Sequence, residues 1–352
     1  MNYFPIYLDA SAMHPVLHCA REAFLNAPFG NPSSEHQVGH EARNALESAR
    51  EKIAALMDGD PEEIYFTSTA TEAAALVSYS LAKHGCGIIS GRTEHHAISE
   101  NEDAFPCEPE VYFPRVCAAQ MLANNETGEI YHIRPDWSDY QYGWLCDATA
   151  AVGHIPVSFK TLGCDYLLFD GIKFGGVPGA AALIAKKGAP LSPLIRGGGQ
   201  ERGMRSGTEN VPAICAMASA LEWQTKHMEQ NTEHISSLQM RLYEMLSEIK
   251  KHQWNTPLTK PHLPHILNIS FDGVDAHALA LILSKDGVMV SPGAACSNGL
   301  NEPSHVIMAM FHDEARARSA IRISMSHENT AEEINIAAEK IRNAVAYIRS
   351  LT

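Results

Sequence analysis

"CDYLLFDGIKFGGVPGAAALI", residues 164–184, decides how this chain is read. Its first part, "CDYLLFD", has the length and apolar composition of a buried strand. The run ends three residues before a lone lysine, Lys173, and glycines follow at 175 and 176. A strand end is a fixed point, and glycine lets the backbone turn tightly beside it. One reading of Lys173 is an ordinary exposed amine. The other is an amine held at a sheet edge to bond covalently with a carbonyl cofactor.

Short apolar runs bounded by turn signals recur on the N-terminal side: "EEIYFTST", "GCGIIS", "EVYFP", "AAQMLAN" and "YGWLCDA". "HEARNALESARE" reads as an amphipathic helix, with turn and cap residues in the preceding "NPSSEH". "ATEAAALVSYSLAKHG" reads as the helix that follows "EEIYFTST", ending at Gly85. Strands alternating with helices predict an α/β domain with a mainly parallel sheet. Ligands of such sheets lie beyond the carboxyl ends of the strands. That rule singles out Thr69 to Glu72, Glu94 to His96, Asn124, Asn125, Asp147 and Lys173.

Farther on, a long helical stretch is expected from about Val211 to Lys251, then a Pro- and His-rich connection, "HQWNTPLTKPHLPH". "ILNISF", "AHALALILSKDG", "SAIRISM" and "TAEEINIAAEKIRNAVAYIRSL" then supply strand, helix, strand and helix. The expected division is a large α/β domain over 12–252 and a smaller α+β domain built from 1–11 and 253–352.

Bulk properties narrow the function. The 352 residues suit one large domain plus a smaller one, and 45% hydrophobic with 19% charged residues is ordinary for a globular enzyme. A formal net charge of −14 argues against a nucleic-acid binder. The opening "MNYFPIYLDA" lacks the blocks of a signal peptide, and no apolar run is long enough to span a bilayer. The 8 cysteines form no C-x-x-C pair. This argues against a zinc site or disulfide framework and points to the reducing cytoplasm.

Several residues acquire meaning together. Asp147 ends a strand one crossover before Lys173. It reads either as a helix cap or as the carboxylate that keeps a pyridine nitrogen protonated, as a pyridoxal phosphate site requires beside its lysine. Ala70 and Thr71 fall where a strand turns into a helix, so their N–H groups and the Thr71 hydroxyl suit a phosphate. His95 and His96 follow "SGRTE". At a sheet edge an imidazole either is a satisfied surface group or stacks on a pyridine face and moves protons. Arg322 lies inside an apolar strand, which implies an internal salt bridge or a fork for an α-carboxylate. Cys296 sits among small polar residues in "VSPGAACSNGLNEPSH", the setting of a thiol that must move and attack.

These segments together resemble the NifS/IscS-type cysteine desulfurases, fold-type I pyridoxal phosphate enzymes related to class V aminotransferases. The resemblance runs over nearly the whole chain, and "GGGQERGMRSGTEN" and "GAACSNGLNEPSH" are its most specific segments. It implies a large domain with a mainly parallel sheet flanked by helices, and a small domain carrying a mobile cysteine loop. By the same resemblance Lys173 is the Schiff-base lysine, Asp147 the ring-nitrogen partner and His95 the stacking imidazole. Asn125 lies near the ring hydroxyl and the substrate. Ala70 and Thr71 hold the phosphate, and Thr208 helps from the neighbouring subunit of a homodimer. Arg322 takes the substrate carboxylate. Cys296 removes sulfur from L-cysteine, leaving L-alanine and a persulfide to be passed to an acceptor or scaffold protein.

Four departures from the family pattern stand out. Ala150 replaces a glutamine that donates to the ring oxygen. Ile172 and Asp170 replace a histidine and a serine or threonine that bind the phosphate. The segment between His96 and Asn124 is shortened by roughly two helical turns or more. Asp170 either faces the phosphate and repels it, points away, or pairs with a cation. Two other functional readings follow: a selenocysteine lyase or other specialised lyase on the same fold, and a degenerate sulfur carrier with little cofactor.

Overall fold

The computed structural model describes residues 5–104, 116–132, 143–293 and 302–351. Two compact units share the chain. One comprises residues 16–122 and 132–227, the other 1–15, 123–131 and 228–352. The division expected from sequence falls at 252, later than this. The short strand β1 (Ile6–Tyr7) belongs to the second unit.

The first unit is built on six strands: β2 (Ile64–Thr67), β3 (Gly87–Ser90), β4 (Val116–Met121), β5 (Trp144–Asp147), β6 (Tyr166–Asp170) and β7 (Ala181–Ala185). Their order across the sheet is β2-β7-β6-β5-β4-β3. β3, β4, β5 and β6 pair in parallel, and β7 runs antiparallel to both β6 and β2. The expected α/β architecture is therefore present, with one reversed strand. The expected strand "EVYFP" lies outside the described residues. β5, β6 and β7 are buried at every position, which explains their unbroken apolar runs.

Helices α1 (His18–Leu25), α2 (Gln37–Met57), α3 (Ala70–Lys83), α4 (His96–Ala104) and the short α5 (Phe159–Leu162) belong to this unit. The cap of α2 is His36, the last residue of "NPSSEH", whose Nδ1 accepts the Gly39 N–H at 3.2 Å. α3 presents Ala73, Ala74, Leu76, Val77 and Leu81 to a core shared with Cys117, Leu145, Tyr166, Leu168 and Leu183. Its cap Thr69 accepts the Glu72 N–H at 3.1 Å, and Gly85 follows the last turn with φ +69°.

The long helix α6 (Val211–Ser247) runs 37 residues, the first 17 or so counted with the first unit and the rest with the second. In the second unit, β8 (His252–Trp254), β9 (Ile266–Phe271), β11 (Ser291–Pro292) and β12 (Ala320–Ser324) form an antiparallel sheet ordered β11-β12-β9-β8. β1 pairs in parallel with β10 (Val288–Met289). Helices α7 (Ala276–Lys285) and α10 (Ala331–Leu351), with the later part of α6, bury Leu242, Leu246, Leu279, Leu283, Ile334 and Ile341 against Leu267, Ile269 and Ile321. α8 (His305–Phe311) and α9 (Glu314–Arg318) complete it. Among the described residues, no helix is long and apolar enough to cross a membrane.

Candidate functional site

Lys173 closes a single 3-10 turn, Gly171–Lys173, at the end of β6. Asp170 caps that turn, its Oδ1 accepting the Ile172 N–H at 3.2 Å. The glycines here are required sterically. Gly175 has φ +97°, and a Cβ on Gly176 would lie 2.9 Å from the Gly171 carbonyl oxygen. The backbone around Lys173 is also bonded from outside the turn. His154 Nε2 donates to the Lys173 carbonyl at 2.9 Å, Gln224 Nε2 donates to the Phe174 carbonyl at 3.1 Å, and the Leu17 N–H donates to the Gly175 carbonyl at 2.9 Å. Desolvation holds the His154 pKa down to about 4, outweighing the bond to Lys173, so the ring is neutral at pH 7. The structure thus anchors the lysine's main chain on three sides.

Asp147 ends the adjoining parallel strand, with Asp147 in register with Leu168 of β6. It is buried. Its Oδ1 accepts the Thr149 N–H at 2.9 Å. That bond uses one of the several acceptor positions a carboxylate offers. His95 stands at the start of α4, its Nδ1 accepting the Ala97 N–H at 3.1 Å. That bond makes Nδ1 the acceptor, so in the neutral ring Nε2 carries the proton. Lys173, Asp147 and His95 are all carried by turns at the carboxyl ends of parallel strands, or just beyond them, as the sheet rule requires.

The N-terminus of α3 is where sequence and structure diverge most usefully. A phosphate was expected on the N–H groups of Ala70 and Thr71. Asp170 Oδ2 accepts the Ala70 N–H at 3.1 Å. One carboxylate therefore bridges the Lys173 turn and the helix start. Asp170 is buried, and desolvation raises its pKa. The bonds from Ala70 and Ile172 and the charge of Lys173 work the other way, and Asp147 adds to the rise. The carboxylate faces the start of α3, where a phosphate is expected from sequence. The residues present fit the aldehyde and ring of a pyridoxal cofactor. They do not fit its phosphate.

Thr208 is exposed on the segment 196–210. Two ion pairs hold that segment to α2 and α3, and a backbone hydrogen bond holds it to β2. Glu201 accepts from Arg50 at 2.7 and 2.9 Å and from the Phe66 N–H at 2.8 Å. Arg205 Nε donates to Glu72 at 2.7 Å and its Nη2 to Ser68 Oγ at 2.7 Å. Ala150 and Ile172 are half-buried beside the strand-end turns.

Within the second unit, Arg322 lies in the middle of β12, buried, opposite Asn268 and Ser291. Its Nη2 donates to Asp9 at 2.9 Å and its Nη1 to the Asn125 carbonyl at 3.0 Å. The internal salt bridge exists, and it leaves Nε buried with no partner among the described residues. A guanidinium has five N–H donors, so these two bonds leave capacity for a carboxylate. Asn125 sits in a turn fixed by Asn124, whose Oδ1 accepts from the Glu126 and Thr127 N–H groups, each at 2.9 Å. Glu126 in turn accepts from Ser304 Oγ at 2.6 Å. Ser304 is the cap of α8, just after the cysteine loop in sequence. Cys296 itself lies outside the described residues. Burial pushes the Cys117 and Cys146 thiols well up, which makes them inert at neutral pH.

Three contributors escaped the sequence reading. His154 and Gln224 act on Lys173 through its backbone and neighbours, and nothing in "AVGHIPV" or the long helix marks them. Glu201 lies in "GGGQERGMRSGTEN", where a glutamate beside an arginine looks like a solvated pair.

The aminotransferase class-V family pattern matches residues 6–104 and 115–336. A cysteine desulfurase IscS of Dictyoglomus turgidum is 34% identical over 99% of this chain and 96% of its own length. Among solved structures, a NifS-like protein superimposes with TM-score 0.87 at 31% identity, covering 97% of this chain and all 100% of that one. SspA in complex with cysteine superimposes with TM-score 0.76 at 26% identity, over 92% of this chain and 100% of that one. On the family pattern and on these relatives over nearly its whole length, the chain belongs to the aminotransferase class-V family, in its NifS/IscS-type cysteine desulfurase branch.

Proposed function

We propose that this cysteine desulfurase uses pyridoxal phosphate to convert L-cysteine to L-alanine, passing the sulfur through a persulfide on Cys296 to an acceptor protein. The observation that carries the reading is Lys173 held at the end of β6, with Asp147 ending the adjoining parallel strand. The cofactor, when bound, supplies an aldehyde for an amine and a ring that withdraws electrons from the substrate carbon. Lys173 Nζ is the amine. Asp147 would keep the proton on the ring nitrogen when the cofactor is bound. His95, with its Nε2 proton, would lie beside the ring and move a proton at the substrate carbon. Arg322 takes the substrate carboxylate, and Asn125 adds a polar contact. The Cys296 thiolate attacks the substrate sulfur, the carbon–sulfur bond breaks, and its electron pair stays on carbon, which a proton then caps. L-cysteine becomes L-alanine, and the thiol becomes a persulfide.

Ala70 and Thr71 line the side of the cofactor seat that the Asp170 carboxylate enters, and Thr208 would add to it from a second copy in a homodimer. The segment 196–210, fixed by Glu201 and Arg205, is the part of the first unit that presents Thr208 outward. The chain is assigned to the cytoplasm, with a scaffold or acceptor protein as the consumer of the persulfide. The test is cysteine-dependent sulfide release with a thiol reductant, measured with equimolar alanine. Release that persists in Cys296→Ala would favour a lyase of different substrate. Absence of any aldehyde-dependent visible band would favour the sulfur-carrier reading.

A further inference from the structure

The start of α3 is an anion seat by its construction. The first N–H groups of any helix lack partners within the helix itself, and here they stand at the positive end of a helix of 14 residues. In this chain the seat is already taken by an internal anion. Asp170 Oδ2 lies 3.1 Å from the Ala70 nitrogen, and Oδ1 lies 3.2 Å from the Ile172 nitrogen. The side chain is 5% exposed, so water does little to screen it. Lys173 is the cation that acts on it, and Asp147 opposes. A ligand joined to Lys173 that reaches the α3 start with its own anionic group meets a carboxylate already holding the N–H it needs.

We propose that Asp170 is a specificity-determining residue that cancels the contribution of the cofactor's phosphate, so that this chain holds phosphorylated and unphosphorylated pyridoxal-type aldehydes with nearly equal affinity. The proposal rests on the cofactor reading given above. In a seat with a neutral hydroxyl at position 170, the phosphate gains both the Ala70 N–H and the helix field. Here it gains neither without displacing a buried carboxylate. The ring and aldehyde contacts, set by Asp147 and Lys173, are the same for both ligands.

The test is equilibrium binding of pyridoxal phosphate and of 5′-deoxypyridoxal, which has no phosphate and cannot cyclise, read by the visible imine band and by thermal shift. Wild type, Asp170→Asn, Asp170→Ser and Lys173→Ala are compared. Asp170→Asn keeps an oxygen for the Ala70 N–H and removes the charge. The expected result is a wild-type affinity ratio within about threefold of unity, with a rise of about tenfold or more in pyridoxal phosphate affinity in both Asp170 variants. The deoxy compound should change by less than about twofold, and Lys173→Ala should lose the band for both. A wild-type preference of about a hundredfold for the phosphate form would overturn the proposal, even if neither Asp170 variant folds. So would affinities for the two ligands that move together, which is what a plain helix cap would produce. Failure of both aldehydes to give a band with wild type and with folded Asp170 variants is a different result. It sinks the cofactor reading, and the proposal with it.

Discussion

Replacing Glu201 by Gln is expected to destabilise the first unit by about 3 kcal/mol, the lower end for breaking a buried ion pair. The side chains of Glu201 and Arg50 are 1% and 3% exposed. Burial works against the Arg50 charge, and in the native chain Glu201 and Glu47 outweigh it and raise its pKa. Without Glu201 the guanidinium still stays protonated, because arginine does not lose its proton in proteins. Glutamine retains one acceptor for the Phe66 N–H, which avoids an orphaned donor. What remains is a buried guanidinium whose remaining ion-pair partner among the described residues is Glu47, at 3.0 Å and half exposed. The assay is urea unfolding followed by tryptophan fluorescence, with Trp144 in β5 as the reporter. For a unit of this size the loss corresponds to a fall in Tm of roughly 6–12 °C. Arg50→Met combined with Glu201→Gln should recover most of it, because no charge is then buried and the Ile64 carbonyl still accepts from Arg202. A loss below about 1 kcal/mol, or a double variant no better than the single one, would refute this account of the pair.

His154 is neutral when folded, with its pKa held at about 4 against 6.5 for the model imidazole. The unfolded chain binds the extra proton first, so stability should fall as pH drops from 6.5 toward 4, by up to about 3 kcal/mol in total. His154→Phe should flatten that part of the profile in a urea titration series and, by freeing the Lys173 carbonyl, slow imine formation. Asp170 has the opposite sign. Its pKa is raised, so its favourable contribution is present at low pH and is lost as pH climbs through the raised value. The Tm gap between Asp170→Asn and wild type should therefore widen as pH rises through that interval, with Lys173 and Asp147 the charged neighbours that modulate it. Arg322→Lys cannot serve Asp9, the Asn125 carbonyl and a carboxylate together, so the KM for cysteine should rise about tenfold or more, with kcat changed less. Cys296→Ala should abolish persulfide formation, seen by mass spectrometry of the intact chain, while leaving the visible band in place.

Much of this was legible in the residues because it rests on local chemistry. The apolar run before Lys173, the Asp147 strand end and the Thr69 cap each declare themselves within a few positions. Direction does not. β7 is as apolar as β6, and nothing in "AAALIA" says that it runs backward. The point where the units change along α6 is equally silent in sequence: α6 is one continuous helix, and its periodicity does not change where its packing partners do. The Asp170 substitution was visible as a departure from the family pattern. Where its carboxylate goes depends on the Ala70 nitrogen, 100 residues earlier in sequence. Glu201 and Arg202, with φ of 46° and 55°, adopt a left-handed backbone that their residue types disfavour.

The reversed strand also has a cost in time. Among the described residues β2 lies at the edge of its sheet and pairs with β7 alone, which the ribosome delivers last of the six. At the usual pace of translation, the roughly 110 residues between them take on the order of ten seconds to emerge. Throughout that interval an apolar strand has an open edge, and it is available to other nascent chains. Chaperone dependence and inclusion-body formation on fast overexpression are the natural consequences, and slower synthesis at lower temperature is the natural remedy.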